Sequence, residues 1–276
     1  IIGTGAGIAV ITAQEMMVSG MRTVEDVEGE LGVPLIAAVP NVRKTARPAD
    51  VLIEKPTSQF AEALRNARAS ILGVKGEEAP KVIALTSALP GEGKTTTALG
   101  LARTMALNGG KTILVDADVR RAQLRQIADV QPGPGIVELL HGEASLEQAI
   151  QPSGLENLDQ IIVQKPYFSS ENLFGNDLMP GILDELSKRY DTIILDLPPL
   201  VGLADGRFLA ALADAVVLVI KWDATPSQAV SSAASWLKSD GANLVGAMFT
   251  MVDTSSQSVG AYYYYSKKYS SYYQAA

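Results

Sequence analysis

From Lys81 onward the chain alternates between short continuous apolar runs and longer stretches whose apolar positions fall three and four apart. Runs such as Val82-Ile83-Ala84-Leu85, Ile113-Leu114-Val115 and Ile193-Ile194-Leu195 lack polar alternation, the mark of strands covered on both faces. Strands are therefore predicted at 82–87, 112–116, 158–163, 191–197, 214–220 and 243–250. The segments between them carry helical patterns; Thr95 to Leu107, with Ala98, Leu101, Ala102, Met105 and Ala106 apolar, is one. Regular alternation of strand and helix predicts an α/β fold with a mostly parallel sheet, helices on both faces, and ligands at the carboxyl ends of the strands.

Ahead of Lys81 the signals are more local. Thr23-Val24-Glu25-Asp26 reads as an N-cap with an acidic residue three positions later, opening a short helix that ends at Gly32. Val33 to Val39 is strand-like, whereas Pro40 to Pro56 mixes Pro, Arg, Lys, Ala and Asp without periodicity and reads as a linker or exposed connection. Thr57 or Ser58 caps a helix running to Leu72, and a charged turn follows from Lys75 to Pro80. Farther along, Thr225-Pro226-Ser227-Gln228 predicts a helix start, with Thr225 as N-cap, Pro226 at the first helical position and Gln228 completing a capping box.

Ile1 to Ile11 is apolar, rich in small residues and uncharged, and the first carboxylate is Glu15. Such a run is shorter than the about 20 residues that span a bilayer. It reads either as the end of a membrane helix or as a short buried element. The basic excess of Arg22, Arg43, Lys44 and Arg47, typical of the cytoplasmic side of membrane helices, favours the former. An initial Ile in place of Met fits a piece of a longer chain.

Composition narrows the function classes. With 276 residues, 47% of them hydrophobic and 19% charged, the chain can bury a full α/β core. A formal charge of −7 disfavours nucleic acid as a partner. Zero cysteines exclude disulfides and cysteine metal sites.

The chemistry concentrates where the first strong strand ends. Ser87-Ala88-Leu89-Pro90-Gly91-Glu92-Gly93-Lys94-Thr95-Thr96 has the makings of a phosphate-binding loop between strand and helix. Gly91 and Gly93 let backbone N–H groups converge on phosphate oxygens, and the following helix adds the positive end of its dipole. Lys94 would reach the β- and γ-phosphates, and the Thr95 hydroxyl would ligate Mg²⁺. Ala88 stands where the usual pattern has its first Gly. A plain glycine turn with no ligand is the alternative, weakened by Gly-Lys-Thr in the required setting.

Two further sites share that rim. Asp116 and Asp118 follow the run 113–115, and Asp196 follows the run 193–195 and precedes Leu197-Pro198-Pro199. Carboxylates ending apolar strands need a cation or an exit from the core, and Mg²⁺ on phosphates is such a cation, usually reached through water. Helix capping is the bland alternative for any one of them. With Asp116 and Asp118 two residues apart, one can orient metal-bound water while the other accepts a proton from an incoming hydroxyl; the spacing leaves the roles open.

With these motifs in place, residues 20–276 resemble the cytoplasmic kinase domain of the bacterial tyrosine kinases, the BY-kinases that also regulate exopolysaccharide export. The shared features are a Walker A motif at 87–96, an A-prime motif at 113–120, a Walker B motif at 193–199 and a tyrosine-rich end. The resemblance implies a P-loop NTPase-like fold and ATP with Mg²⁺ as cofactors. It implies ATP binding by Pro90, Gly91, Glu92, Gly93, Lys94, Thr95 and Thr96, catalysis by Lys94, Asp116, Asp118 and Asp196, and metal binding through Thr95, Asp118 and Asp196. Asp116 is the residue it implicates in activating the tyrosine hydroxyl. Glu62, Arg65 and Arg68 match the family's oligomerisation motif and fall near one helix face; local ion pairs on a solvated face are the plain reading.

The resemblance also implies a ring-like homo-oligomer at the cytoplasmic face of the bacterial inner membrane. Its further partners would be a membrane activator or the chain's own membrane region, and a phosphotyrosine phosphatase. It divides the chain into 1–18, a membrane-helix end or activator tail, 19–56, a juxtamembrane segment and linker, 57–260, the kinase domain, and 261–276, the tyrosine tail. Seven of nine tyrosines, Tyr262, Tyr263, Tyr264, Tyr265, Tyr269, Tyr272 and Tyr273, crowd that tail. Among Ser, Gly and Lys they build no core, and the resemblance makes them the sites phosphorylated in trans.

Two other classes compete with the kinase. A partition-type ATPase switch shares the fold but carries an early loop lysine, a position held here by Leu89. An ATP-binding scaffold of a polysaccharide exporter would not require Lys94, Asp116, Asp118 and Asp196 together. His141 reads as a helix C-terminal partner, and Trp222 and Trp236 as packing residues, with Trp222 near a strand end that borders the nucleotide site. Arg120, Arg121 and Arg125 lie beside the A-prime motif and suit either solvent or a phosphate.

Overall fold

The apolar runs become a single twisted sheet because each is long enough for a strand and too uniformly apolar to leave either face wet. The computed structural model of the chain describes residues 20–42, 47–73, 79–128, 133–169, 173–175 and 177–255. Among these, β1 (Leu35–Pro40), β2 (Val82–Ser87), β3 (Thr112–Asp116), β4 (Gln151–Pro152), β5 (Leu158–Ile161), β6 (Thr192–Asp196), β7 (Ala215–Lys221) and β8 (Leu244–Val252) form one sheet. Their order is β1-β8-β7-β2-β6-β3-β5-β4. All neighbours run parallel except β4, a two-residue strand antiparallel to β5.

Successive side chains along each strand supply two separate cores. Ile83, Leu85, Leu114, Ile194, Val217 and Val219 face α2 (Pro48–Glu54), α3 (Gln59–Leu72), α4 (Lys94–Leu107) and α5 (Leu124–Ile127). Ala84, Ile113, Val115, Ile193, Val216 and Leu218 face the other way. There they meet α1 (Val24–Leu31), α6 (Ile136–Leu140), α7 (Leu146–Ala149), α8 (Leu178–Arg189), α9 (Ala204–Ala210) and α10 (Ser227–Ser239). Helix α4 is buried nearly all round because α3 covers the side that the sheet does not. At their contact Gly100 leaves room for Leu64, since a Cβ there would lie 2.7 Å from Leu64 Cδ1 and force that side chain to move.

Two local expectations need correction. Residues 40–56 are not simply a connection: Pro48–Glu54 is a helix that buries Ala49, Val51 and Leu52, and Asp50 pairs with Arg103 of α4 at 2.8 Å. Seven residues are too few to show a period, and so short a helix owes its stability to tertiary packing. Thr225 does not cap α10. Pro226 occupies that place without a side-chain cap, and the Thr225 hydroxyl bonds elsewhere, as described below. The Thr23 cap of α1 forms as expected, with Thr23 Oγ1 accepting from the Asp26 N–H at 3.0 Å and Asp26 accepting from the Thr23 N–H at 2.9 Å.

At the amino ends of the strands two carboxylates tie the sheet together. Asp214 Oδ2 accepts from the N–H groups of Lys81 and Val82 at 2.9 and 2.7 Å, and Asp191 Oδ2 accepts from the Lys111 N–H at 2.9 Å.

Candidate active site

The turn from β2 into α4 is shaped by Gly91 and Gly93, both at φ +83°, a region that side chains with a Cβ rarely adopt. Gly93 is the N-cap of α4, and no acidic residue in the first helical turn offsets the positive dipole end. The loop residues Pro90 to Thr96 enclose a cavity with Asp118, Arg121, Gln123 and Pro199. A second, more apolar cavity of ≈ 110 Å³ adjoins it across Gly93 and Thr96, with Val39, Pro40, Phe60, Thr97 and Met251 in its walls.

Strand register brings the acidic residues together. β3 and β6 are neighbours, and their last residues, Asp116 and Asp196, are direct partners. Asp118 follows two residues on, its N–H donating to Asp116 Oδ1 at 3.2 Å. Lys94, the first residue of α4, reaches across the rim: its Nζ lies 2.8 Å from Asp118 Oδ2, 3.1 Å from Asp196 Oδ1 and 3.3 Å from the Thr95 hydroxyl. All four charged residues are buried, with Lys94 only 6% exposed and Asp196 not at all.

Three carboxylates thus share one ammonium. Burial, and then the charge of Asp196, push the Asp116 pKa well above the usual carboxylate range, against the pull of Lys94. Burial also raises Asp196. For Lys94 burial acts to lower the pKa, but Asp196 and Asp118 outweigh it and hold the ammonium above its ordinary value. Asp116 Oδ2, Asp118 Oδ1 and Asp196 Oδ2 are buried with no hydrogen-bond partner. A native core rarely tolerates such groups without a ligand to meet them.

These orphaned oxygens fit a cation bound with phosphates. Among the described residues no three His, Cys, Asp or Glu side chains close into a metal cage. Mg²⁺ needs none, because it keeps its waters and takes one or two carboxylates together with substrate phosphates. Thr95, Asp118 and Asp196 are the residues present for that role.

Glu92 departs from expectation. It borders the phosphate cavity, but its carboxylate is bonded to the Leu89 N–H at 2.6 Å and to the Thr225 hydroxyl. No sequence signal paired Glu92 with Thr225, 133 residues away. Arg121 and Gln123 also reach the cavity, and Arg121 was legible only as a neighbour of the A-prime motif. Arg120 pairs with Asp205 at 3.2 Å and Arg125 bonds the Gln164 carbonyl. His141 caps α6 and contacts the Tyr167 hydroxyl at 3.3 Å, while Trp236 stacks under Arg207. Trp222 donates from Nε1 to the Arg22 carbonyl at 3.0 Å.

On α3, Arg65 bonds Glu62 at 2.5 Å as well as the Pro56 carbonyl, and Arg68 Nε has no partner. This trio lies well away from Lys94 in sequence and on the outward side of a helix whose Phe60, Ala61, Leu64 and Ala67 are buried. The apolar residues 1–11, Arg43, Lys44 and the tyrosines 262–273 lie outside the described residues. Among the described residues no helix is long and apolar enough to cross a membrane.

Residues 80–239 match the family model described as an AAA domain. The chain is 33% identical over 196 residues to the succinoglycan biosynthesis transport protein ExoP of Rhizobium meliloti (strain 1021), covering 70% of this chain and 25% of ExoP. It is 31% identical over 213 residues to the tyrosine-protein kinase YwqD of Bacillus subtilis (strain 168), covering 77% of this chain and 90% of YwqD. The kinase domain of the Escherichia coli tyrosine kinase ETK superposes with a TM-score of 0.77 at 25% identity, over 84% of this chain and 95% of that one. The chain therefore spans a minor part of one relative and nearly all of another. The shared architecture is that of a P-loop NTPase, a fold that binds nucleotides.

Proposed function

The chain belongs to the bacterial tyrosine-kinase family of AAA-domain proteins, and from that premise we propose that it is an ATP-dependent protein-tyrosine autokinase. The acceptors in this reading are Tyr262, Tyr263, Tyr264, Tyr265, Tyr269, Tyr272 and Tyr273 of a neighbouring copy. The observation that carries it is the trio Asp116, Asp118 and Asp196 gathered around Lys94 with oxygens left unpartnered at the mouth of a phosphate loop.

Each residue has a role set by its chemistry. The backbone N–H groups of 91–96 and the Lys94 ammonium hold the β- and γ-phosphates, while the adjoining apolar cavity gives room for the base. Thr95, Asp118 and Asp196 would hold Mg²⁺, which when bound would supply positive charge against the negative charge developing on the phosphates. Asp116, whose buried carboxylate is unusually basic, takes the proton as the tyrosine O–H bond breaks. The new bond joins the tyrosine oxygen to the γ-phosphorus, the bond to the β-phosphate oxygen breaks, and ADP leaves.

The wider reading follows the same relatives. In this reading the kinase domain acts at the cytoplasmic face of the inner membrane, with residues 1–18 as the end of a membrane helix or an activator tail, 19–56 as the juxtamembrane segment and linker, 57–260 as the kinase domain and 261–276 as the substrate tail. Glu62, Arg65 and Arg68 present a polar face for a ring-like oligomer. Phosphates on the tail, each adding about −1.5 to −2 charges, loosen that ring by repulsion until a phosphatase removes them. The ExoP relationship favours control of exopolysaccharide synthesis and export as the purpose.

Incubation with Mg-ATP followed by phosphopeptide mapping tests the proposal. Phosphotyrosine within 262–273 that vanishes in Lys94→Met supports it. Hydrolysis of ATP without phosphotyrosine would instead support a switch ATPase, and neither activity a scaffold.

A further inference from the structure

A carboxylate is an awkward component of a phosphate-binding loop, because it repels the ligand unless it is turned away and held. Glu92 is held with unusual completeness. The residue is 3% exposed, Oε2 accepts the Leu89 N–H at 2.6 Å, and Oε1 accepts the Thr225 hydroxyl and, at 3.5 Å, the Lys221 N–H. Its carbonyl accepts the Thr250 hydroxyl at 2.6 Å. The side chain thus closes the loop on its own beginning and pins it to the end of β7, while the backbone carbonyl of the same residue pins it to the end of β8.

The pin is braced from outside. Thr225 belongs to the turn 221–226, in which Asp223 takes φ +53°. The Asp223 N–H donates to the Met21 carbonyl at 2.9 Å, Trp222 bonds the Arg22 carbonyl, and the Arg22 guanidinium meets the Asp223 carboxylate. Gly20 bridges to Pro226 and lies so close that a Cβ would sit 2.5 Å from the backbone of Asp223 and Ala224. Contacts therefore run without a gap from residues 20–22, through the turn, to the phosphate loop.

We propose that Glu92 is a positioning residue for the nucleotide: with Thr225 it fixes the shape of the phosphate loop, and it makes that shape depend on how residues 20–22 seat on the turn 221–226. This rests on the reading of the loop as the ATP site. Glu92 touches no reacting atom; it aligns the N–H groups that do the binding.

The test measures binding of a fluorescent ATP analogue with Mg²⁺, and phosphotransfer rates, on the full chain at temperatures where each variant is folded. Thr225→Val keeps the side-chain shape and removes the hydroxyl; it is expected to raise Kd and KM about tenfold, with kcat changed less than about twofold. Thr225→Ser restores the hydroxyl and both constants. Arg22→Ala moves them in the same direction by about two- to threefold. A folded Thr225→Val that binds as the parent does, or a Thr225→Ser as impaired as Thr225→Val, overturns the proposal. Because Thr225→Val preserves side-chain shape and Thr225→Ser restores only the hydroxyl, the pair decides the matter whatever Glu92→Ala does to folding. Binding is read independently of chemistry, so a parent chain that binds nucleotide but makes no phosphotyrosine overturns the kinase reading alone.

Discussion

The two ends of the sheet use the same residue in opposite ways. At the amino ends of the strands, Asp214 and Asp191 accept backbone N–H bonds from the neighbouring strands, and the carboxylates act as clasps. At the carboxyl ends, Asp116, Asp118 and Asp196 crowd together in the interior with oxygens left over and, among the described residues, a single ammonium between them. The first arrangement stabilises the fold; the second works against it, as a site built to receive a cation together with phosphates would.

Mutations that exchange the two behaviours probe this contrast. The largest effect belongs to Lys94→Met, which removes the ammonium bonded to Asp118 and Asp196 and is expected to lower phosphotransfer about 10³-fold, read as the initial rate of phosphotyrosine formation. Asp116→Asn loses the proton acceptor and about 10²-fold in rate, yet without nucleotide it is expected to stabilise the protein, since burial beside Asp196 and Asp118 disfavours a carboxylate there. Calorimetry would show this as a higher melting midpoint for an inactive enzyme; a lower midpoint would mean that the rim is not strained. Asp214→Ala is expected to give the mirror image: about 1–3 kcal/mol less stable, with nucleotide affinity per folded molecule unchanged.

The smallest effect is at Asp26, an exposed capping carboxylate of the clasp type. Desolvation alone would raise its pKa, but the N–H groups of Arg22 and Thr23 and the Thr23 hydroxyl outweigh it and hold the value below the ordinary one. Its contribution is therefore present above the unfolded-state pKa near about 3.9 and disappears as the pH falls through the native one. Asp26→Asn is expected to cost less than about 1 kcal/mol at neutral pH, and its denaturation midpoint should converge with the parent's under acid conditions.

Which of these features could be read from the chain depends on how far apart the partners lie. The parallel sheet was legible because Val82 to Leu85, Ile113 to Val115 and Ile193 to Leu195 each declare themselves within a few residues, and Asp116 and Asp196 announce the rim by ending such runs. That β3 and β6 lie side by side, so that those two carboxylates are partners, is a matter of strand order and leaves no local trace. Thr225 illustrates the converse. Its sequence context favours an N-cap, but a buried carboxylate 133 residues away makes a better use of its hydroxyl. Helix 48–54 was missed for a related reason: its stability comes from α4, not from its own seven residues.

The contacts of Lys94 have a consequence for turnover. Its ammonium is already bonded to Asp118 and Asp196, so an arriving phosphate must draw it away from partners that are fully desolvated. On the proposed kinase reading, that competition would subtract from affinity during loading and return during unloading, when the same carboxylates recapture the lysine. A residue proposed to grip the nucleotide would thereby also help to eject the spent one.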